Sequence, residues 1–436
     1  MDIKYKDLLF SWNRKLLNNE IFEDTLSFTF DSADAYSNPY WLKNTGKFRY
    51  QHDIELLRKP GADAHVSSAT IRLIIAGDTI SFIRPMVYRW TDRVKGGLEK
   101  PIRLLPEITM KFDKQIYFLE DSSIRGNIIL KLHKGKKMDG VLKITGDSSL
   151  SSLNLGKFTF STTKTVVSIP FEYKLDFKTL KNQQMKLSFV TETDSFNLSR
   201  FDVEYDHIHS QMALLPCEAK IVPIHFNQLP GKIAYVEGPD NEMIHYLKDA
   251  GCDITSFTEE DVIAGKLAEY EVLLFGIRSI NVNKNWKKYK DQILNFTKKG
   301  GTTIVLYQTS RGINPLDISP YSFEISRKRV TDEKAKTKIL KPEHPIVNYP
   351  FKLSSSDFEN WNQERGLYFA GQRDESFQVI FSWHDPDELD EFGSLIVGDY
   401  GKGAFIYTGI SFFRHIPAAV PGSYKLMMNV LSYKPQ

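Results

Sequence analysis

The stretch Gly231–Gly276, GKIAYVEGPDNEMIHYLKDAGCDITSFTEEDVIAGKLAEYEVLLFG, constrains the fold more than any other part of the chain. Lys232–Val236 is a short β-rich run that ends at Glu237-Gly238-Pro239. Asn241–Ala250 places Met243, Leu247 and Ala250 on one helical face, and Gly251 stops the helix. Asp253–Phe257 reads as a second strand. Thr258 then caps a second helix, with Asp261 in the reciprocal position of a capping box. Glu271–Phe275, apolar after its first residue, is a run of the kind that parallel strands need when both faces are covered. Strands alternating with helices predict a doubly wound α/β sheet. In such sheets ligands sit beyond the carboxyl ends of the strands, here Glu237, Gly276–Ser279 and Tyr307–Arg311.

Upstream the period is two rather than 3.6. Short β-rich runs at Ala69–Ala76, Thr79–Ile83, Met86–Trp90, Ile108–Phe112, Ile116–Phe118, Gly126–His133, Gly140–Thr145, Thr165–Tyr173, Met185–Val190 and Phe201–Ile208 predict antiparallel β-sandwich modules. The predicted organisation is an irregular segment over 1–47 with one short helix at Asp7–Leu17, a small β module over 48–106 and a β-sandwich over 107–226. An α/β domain follows over 229–436. YRWTDRVKGGLEKP is read as a polar loop between the two β modules. In the α/β part, Trp286–Lys299 is a helix, Thr302–Tyr307 a buried strand, and residues 309–375 a long insertion over the strand ends, where function concentrates. Val379–Trp383, Gly393–Val397 and Ala404–Thr408 are closing strands, and Ser423–Leu431 is the last helix.

Charge narrows the partners. The 436 residues carry a net charge of only +3, so no polyanion is called for and no nucleic-acid partner is expected. The two cysteines, Cys217 and Cys252, are too few for a disulfide framework and lack metal-ligand spacing. No apolar run reaches the roughly 18 residues of a membrane span, and the N-terminus has no apolar signal core, so the chain as written is expected in the cytoplasm.

GGTTIVLYQTSRG ends a strand where glutamine amidotransferase-like domains place a cysteine nucleophile. Tyr307-Gln308-Thr309 supplies no thiol, so the elbow lacks its nucleophile. In SWHDPDELDEFG, Pro386 splits His384, Asp385, Asp387 and Glu388, as expected of a solvated hairpin loop. EYDHIHSQ puts His207 and His209 on one face of a predicted strand, with no identifiable third ligand. These three histidines are the metal alternative; otherwise neither a metal nor a cofactor is called for. ENWNQERGLYFAG and SFFRHIPAAVPG embed Glu364, Arg365, Arg414 and His415 among aromatics at predicted loops. They read either as a pocket for a polar ligand or as buried ion pairs stitching the insertion to the sheet. With strand-end placement, Glu237, Arg278, Gln308, Glu364, Arg365, Arg414 and His415 are the candidate ligand-binding residues.

Several longer strings, among them VYRWTDRVKGGLEKPIRLLP, YDHIHSQMALLPCEAKIV, DFENWNQERGLYF and DYGKGAFIYTGISFFRHIPAAVPGSYKLMMNVL, resemble the C-terminal part of large bacterial PIG-L (LmbE-like) N-acetylglucosaminyl deacetylases. The similarity runs from about residue 36 to the end. It implies β-sandwich modules followed by a glutamine amidotransferase-like, flavodoxin-like α/β domain. It also implies a deacetylase domain in the same or a partner chain, a glycan as ligand, and a periplasmic or secreted parent if the chain is a fragment. The family's His-Pro-Asp-Asp-Glu zinc motif has no counterpart in these residues. The resemblance therefore implies a non-catalytic accessory region. A metal-dependent hydrolase of carbohydrate derivatives and a purely structural scaffold are the alternatives.

Overall fold

The computed structural model describes residues 2–5, 8–13, 19, 21–27, 29–30, 36–39 and 42, and residues 68–435 apart from 76, 134–136, 147–151, 162–164, 175–182, 206 and 208–209. It is a β-rich, multi-sheet protein whose C-terminal part is built on one large mixed sheet.

Near the N-terminus, Leu8–Ser11 is a strand, not part of the helix predicted over Asp7–Leu17. It turns back on Asp2–Tyr5 (Tyr5 opposite Leu8), which in turn pairs with Ser68–Ile75. So short a segment gains little as an isolated helix, and pairing satisfies its backbone at once. Ser68–Ile75 and Asp78–Pro85 form the expected hairpin, with Gly77 at φ 95° in the turn. The predicted polar loop after Met86 is also a hairpin: Val87–Asp92 pairs with Gly96–Pro101. The Asp92 carboxylate accepts from the backbone N–H groups of Val94 and Lys95, both at 2.8 Å, and this Asx turn lets the preceding aromatic run pair.

The sandwich has two facing sheets. One runs Leu153–Phe160, Met138–Gly146, Gln183–Val190, Glu218–His225, Ile116–Leu119; the other runs Val166–Lys174, Ser123–Leu132, Ile108–Phe112. Alternate residues such as Ile169, Phe171 and Tyr173 point inward onto Ile128, Leu130, Leu142, Leu187 and Ile221. One pairing breaks the antiparallel expectation, because Glu218–His225 runs parallel to Ile116–Leu119. Leu198–Val203 pairs with Gln211–Pro216, so the strand predicted over Phe201–Ile208 ends earlier and His207 lies in a turn.

The C-terminal sheet has the order Ile254–Ser256, Ile233–Val236, Val272–Phe275, Thr302–Leu306, Gly403–Thr408, Leu395–Tyr400, Gln378–Val379. Its first five strands are parallel, and the last two pair antiparallel. Both faces are buried. Ile233, Val272, Leu274 and Ile304 face the helices Glu242–Asp249 and Pro421–Leu431, whereas Ala234, Leu273, Phe275 and Val305 face Ile293, Phe296 and Trp286. That double burial is why the strands read as unbroken apolar runs. The capping box at Thr258 is present, with its N–H donating to Asp261 Oδ2 at 3.0 Å. The expected helix over Trp286–Lys299 starts as a 3₁₀ turn, Lys284–Tyr289, before Lys290–Lys298. Of the predicted closing strand Val379–Trp383, only Gln378–Val379 joins this sheet; Phe381–Trp383 pairs with Lys338–Ile339 and Glu391–Phe392 instead.

The sandwich and the α/β sheet share a core. Ile116, Phe118, Val222 and Ile224 are buried with Tyr246, Leu247 and Tyr424, and the Phe118 ring meets that of Tyr424 at 4.9 Å.

Candidate functional site at the carboxyl edge of the sheet

Thr302–Leu306 delivers Tyr307 and Gln308 to the carboxyl edge, beside the loop that follows Val272–Phe275. Gln308 is 1 % exposed and fully engaged within the protein. Its Nε2 donates to the carbonyls of Gly276 (3.0 Å) and Leu306 (2.8 Å), and its Oε1 accepts from the Ile280 N–H at 3.1 Å. It therefore staples two strand-end loops rather than facing a ligand. Asn281 completes the staple through the N–H and carbonyl of Thr309, at 2.8 and 3.0 Å. Arg278 adopts φ 53° and donates its N–H to the Tyr307 carbonyl at 3.0 Å. Its side chain is exposed and has no partner among the described residues.

The Tyr307 ring lies between two other rings, stacked on Tyr368 (5.7 Å, 6°) and tilted against Phe413 (5.4 Å). Tyr368 also has positive φ (53°), and the Tyr407 hydroxyl holds its carbonyl at 2.6 Å. Gln363 is a third left-handed residue, at φ 70°. Bulky side chains in that region cost of order 1–3 kcal/mol each, and such strain gathers where a structure fixes groups for function. The Tyr307 hydroxyl has no partner among the described residues. Burial pushes this phenol's pKa up, while Arg278 and Arg414 pull against that shift.

The insertion supplies the opposite wall. Glu364 Oε1 accepts from Arg414 Nε at 2.8 Å and from the Ser411 hydroxyl at 3.1 Å, and Arg414 also donates to Gln363 Oε1. The Arg414 guanidinium lies 4.9 Å over the Phe413 ring and remains about one-third exposed (36 %). Next to these groups, Arg365 is 3 % exposed. Its fork is spent on the carbonyls of Ala335 (3.1 and 2.7 Å) and Phe358 (2.6 Å), with the Trp361 ring 5.0 Å away. Burial lowers its pKa to about 10. His415 is completely buried. Its Nδ1 accepts from the Asn362 N–H at 3.2 Å, its ring is 4.4 Å from Trp361, and Nε2 has no partner. Burial, reinforced by Arg365 and Arg414, pushes its pKa down to about 3, so it is a neutral core group.

Of the seven residues singled out in the sequence, then, Arg278 and Arg414 keep exposed side-chain surface near Tyr307, with Glu364 buried beneath Arg414. Gln308, Arg365 and His415 sit behind them as supports. Glu237 is elsewhere along the edge, exposed and accepting from the Ser256 hydroxyl at 2.6 Å. Sequence reading placed the ligand beside Tyr307 without naming it among the binding residues, and missed Tyr368 and Phe413. For Tyr307 the available signal was an aromatic placed directly after a buried parallel strand.

Among the described residues the metal alternative finds no ligand set. His384 Nδ1 donates to the Asp385 carbonyl at 3.0 Å, and Asp385 itself is taken up by the N–H groups of Thr331 and Asp332. His207 packs 5.7 Å from Tyr205, and His209 lies outside the described residues. Among the described residues no group of three His, Cys, Asp or Glu side chains is placed to hold a metal ion, and no helix is long and apolar enough to cross a membrane.

No protein-family model matches this chain, and no curated protein matches it significantly. Solved structures similar to parts of it include a glycosyl hydrolase family 2 member from Bacteroides cellulosilyticus (9 % identity over 53 % of this chain and 26 % of that one, TM-score 0.17). Another is a calcium-binding mutant of Bacteroides uniformis beta-glucuronidase 2 (10 % identity, 48 % and 24 %, TM-score 0.14). This chain thus aligns with about a quarter of each, at a similarity too low to carry an argument about fold or function.

Proposed function

We propose that this chain is a non-catalytic binding region whose C-terminal domain, of glutamine amidotransferase-like type, holds a polar ligand bearing an acidic group at the carboxyl edge of its sheet. The observation that carries this reading is that the Arg278 side chain and the Tyr307 hydroxyl, neither with a hydrogen-bond partner among the described residues, lie with the Arg414–Glu364 pair beside an aromatic wall. Two guanidinium groups and a phenol donate to an anion, and rings flank a sugar-sized body. The elbow that would carry a thiol carries Tyr307-Gln308-Thr309 and offers the Tyr307 hydroxyl in its place. The resemblance to PIG-L deacetylase accessory regions supports a glycan as the ligand and a deacetylase domain as the partner, and the two arginines are what favour an acidic one.

Calorimetric titration with glucuronic acid, against N-acetylglucosamine as the neutral control, tests this. Glucuronate is expected to bind the more tightly. Arg414→Ala should weaken it by at least about tenfold, as for a lost charge-assisted bond, and Tyr307→Phe by several-fold. Equal affinity of the wild type and both variants sinks the reading, as does deacetylase turnover by the purified chain.

A further inference from the structure

We infer that a second site, for an uncharged oligosaccharide, lies in the cleft between the Val87–Pro101 hairpin and the segment around Tyr205. This inference does not depend on the strand-edge site. The cleft has a volume of about 740 Å³ and is lined by Trp90, Leu98, Pro101, Tyr205 and His207. That volume falls within the roughly 300–1,000 Å³ of small-ligand pockets.

Register makes the platform. Tyr88 and Trp90 are two apart on one strand and share a face, with Lys100 and Leu98 directly opposite. Their rings stack at 5.7 Å with only 21° between planes, so Tyr88, 66 % exposed and just outside the cleft, backs the Trp90 ring that lines it. On the other wall, Tyr205 is 62 % exposed, with the His207 ring 5.7 Å away. Large rings are normally the first side chains to be buried, so this concentration at the surface calls for a ligand with a flat apolar face. The C–H face of a pyranose supplies one, because its slightly positive hydrogens meet the negative ring face.

Charge decides among the ligands that stack. Lys100 pairs with Glu204 at 3.4 Å, and Arg89 with Glu99 at 3.1 Å. Fixed charges that cancel leave no net field for phosphates, which argues against a nucleotide or nucleic acid. The same ammonium and carboxylate groups donate to and accept from sugar hydroxyls. A protein partner would need about 800 Å² on each side, far more than this cleft offers.

The test is calorimetric titration of the full chain with cellotriose and with chitotriose. At least one should bind with a Kd below about 10 mM, and Trp90→Ala should weaken it by at least about tenfold. Trp90→Phe should stay within about threefold of wild type, because a ring remains. Tyr307→Phe should leave this binding unchanged, which separates the two sites. Tyr88→Ala, at a largely exposed position, should also weaken binding without changing Tm, and so guards against a folding defect at Trp90. The inference is overturned if neither trisaccharide binds, or if Trp90→Ala and Tyr88→Ala both bind as the wild type does.

Discussion

His415 should make the C-terminal domain acid-sensitive, by an amount that follows from its burial. In the unfolded chain this imidazole takes a proton near pH 6.5; in the folded protein it does so only near 3. Between those values the unfolded state binds more protons, so stability is complete above 6.5 and falls as the pH drops towards 3. Linkage gives a loss of about 2 kcal/mol at about pH 5 and roughly 5 kcal/mol once the pH is below both values. His415→Asn keeps an acceptor for the Asn362 N–H at the Nδ1 position but does not titrate. It should be less stable than the wild type at neutral pH, and its own stability should lack this acid-dependent loss. Urea unfolding at a series of pH values, followed by tryptophan fluorescence, reads this directly, because Trp361 touches the imidazole. Wild type and variant curves should converge on acidification. Parallel curves between about pH 7.5 and 5 would refute the assignment of His415 as a buried neutral base.

Three further outcomes can be checked. Arg365→Ala orphans the Ala335 and Phe358 carbonyls and should cost about 3–5 kcal/mol in urea unfolding, whatever it does to ligand binding. Gly422→Ala would place a Cβ 1.6 Å from the Asp357 carbonyl oxygen, at backbone that cannot yield cheaply; a loss of at least about 3 kcal/mol or insoluble expression is expected. Burial raises the Cys252 thiol to about 12 and Cys217 to about 11, so neither should react with a maleimide in the native protein at neutral pH, and both should in urea.

The sheet elements were legible because their chemistry is local. Val272–Phe275 and Ile304–Leu306 are apolar throughout since both faces are covered, and Thr258 with Asp261 announces a helix start. The Asp92 turn was less so, because an Asx turn and a polar loop have the same composition. Strand Leu153–Phe160 was not legible because Gly156 interrupts its run, and Gln211–Pro216 was not because QMALLP lacks the β-branched residues and aromatics that mark a strand. At the strand edge, sequence could nominate charged residues among aromatics. It could not decide which would be spent internally. Arg365 and Arg414 have similar neighbours, yet one is consumed by carbonyls that lie 30 and 7 residues away and the other keeps an accessible edge. That choice is made by tertiary packing, which leaves no trace in spacing.

The parallel pairing inside the sandwich has a consequence for the order in which the chain can fold. Lys220 lies opposite Ile116, a separation of 104 residues (220 − 116). Bringing such ends together costs on the order of 4 kcal/mol of chain entropy before any contact repays it. The same strands present Tyr117, Leu119 and Ile221 to the sandwich and Phe118, Val222 and Ile224 to the α/β core. During synthesis, Ile116–Leu119 must therefore wait for a partner made about a hundred residues later, and one of its faces waits longer still, until the α/β helices exist. A long-range closure is thereby placed at the seam between the two halves, where a premature end of translation would leave Phe118 uncovered.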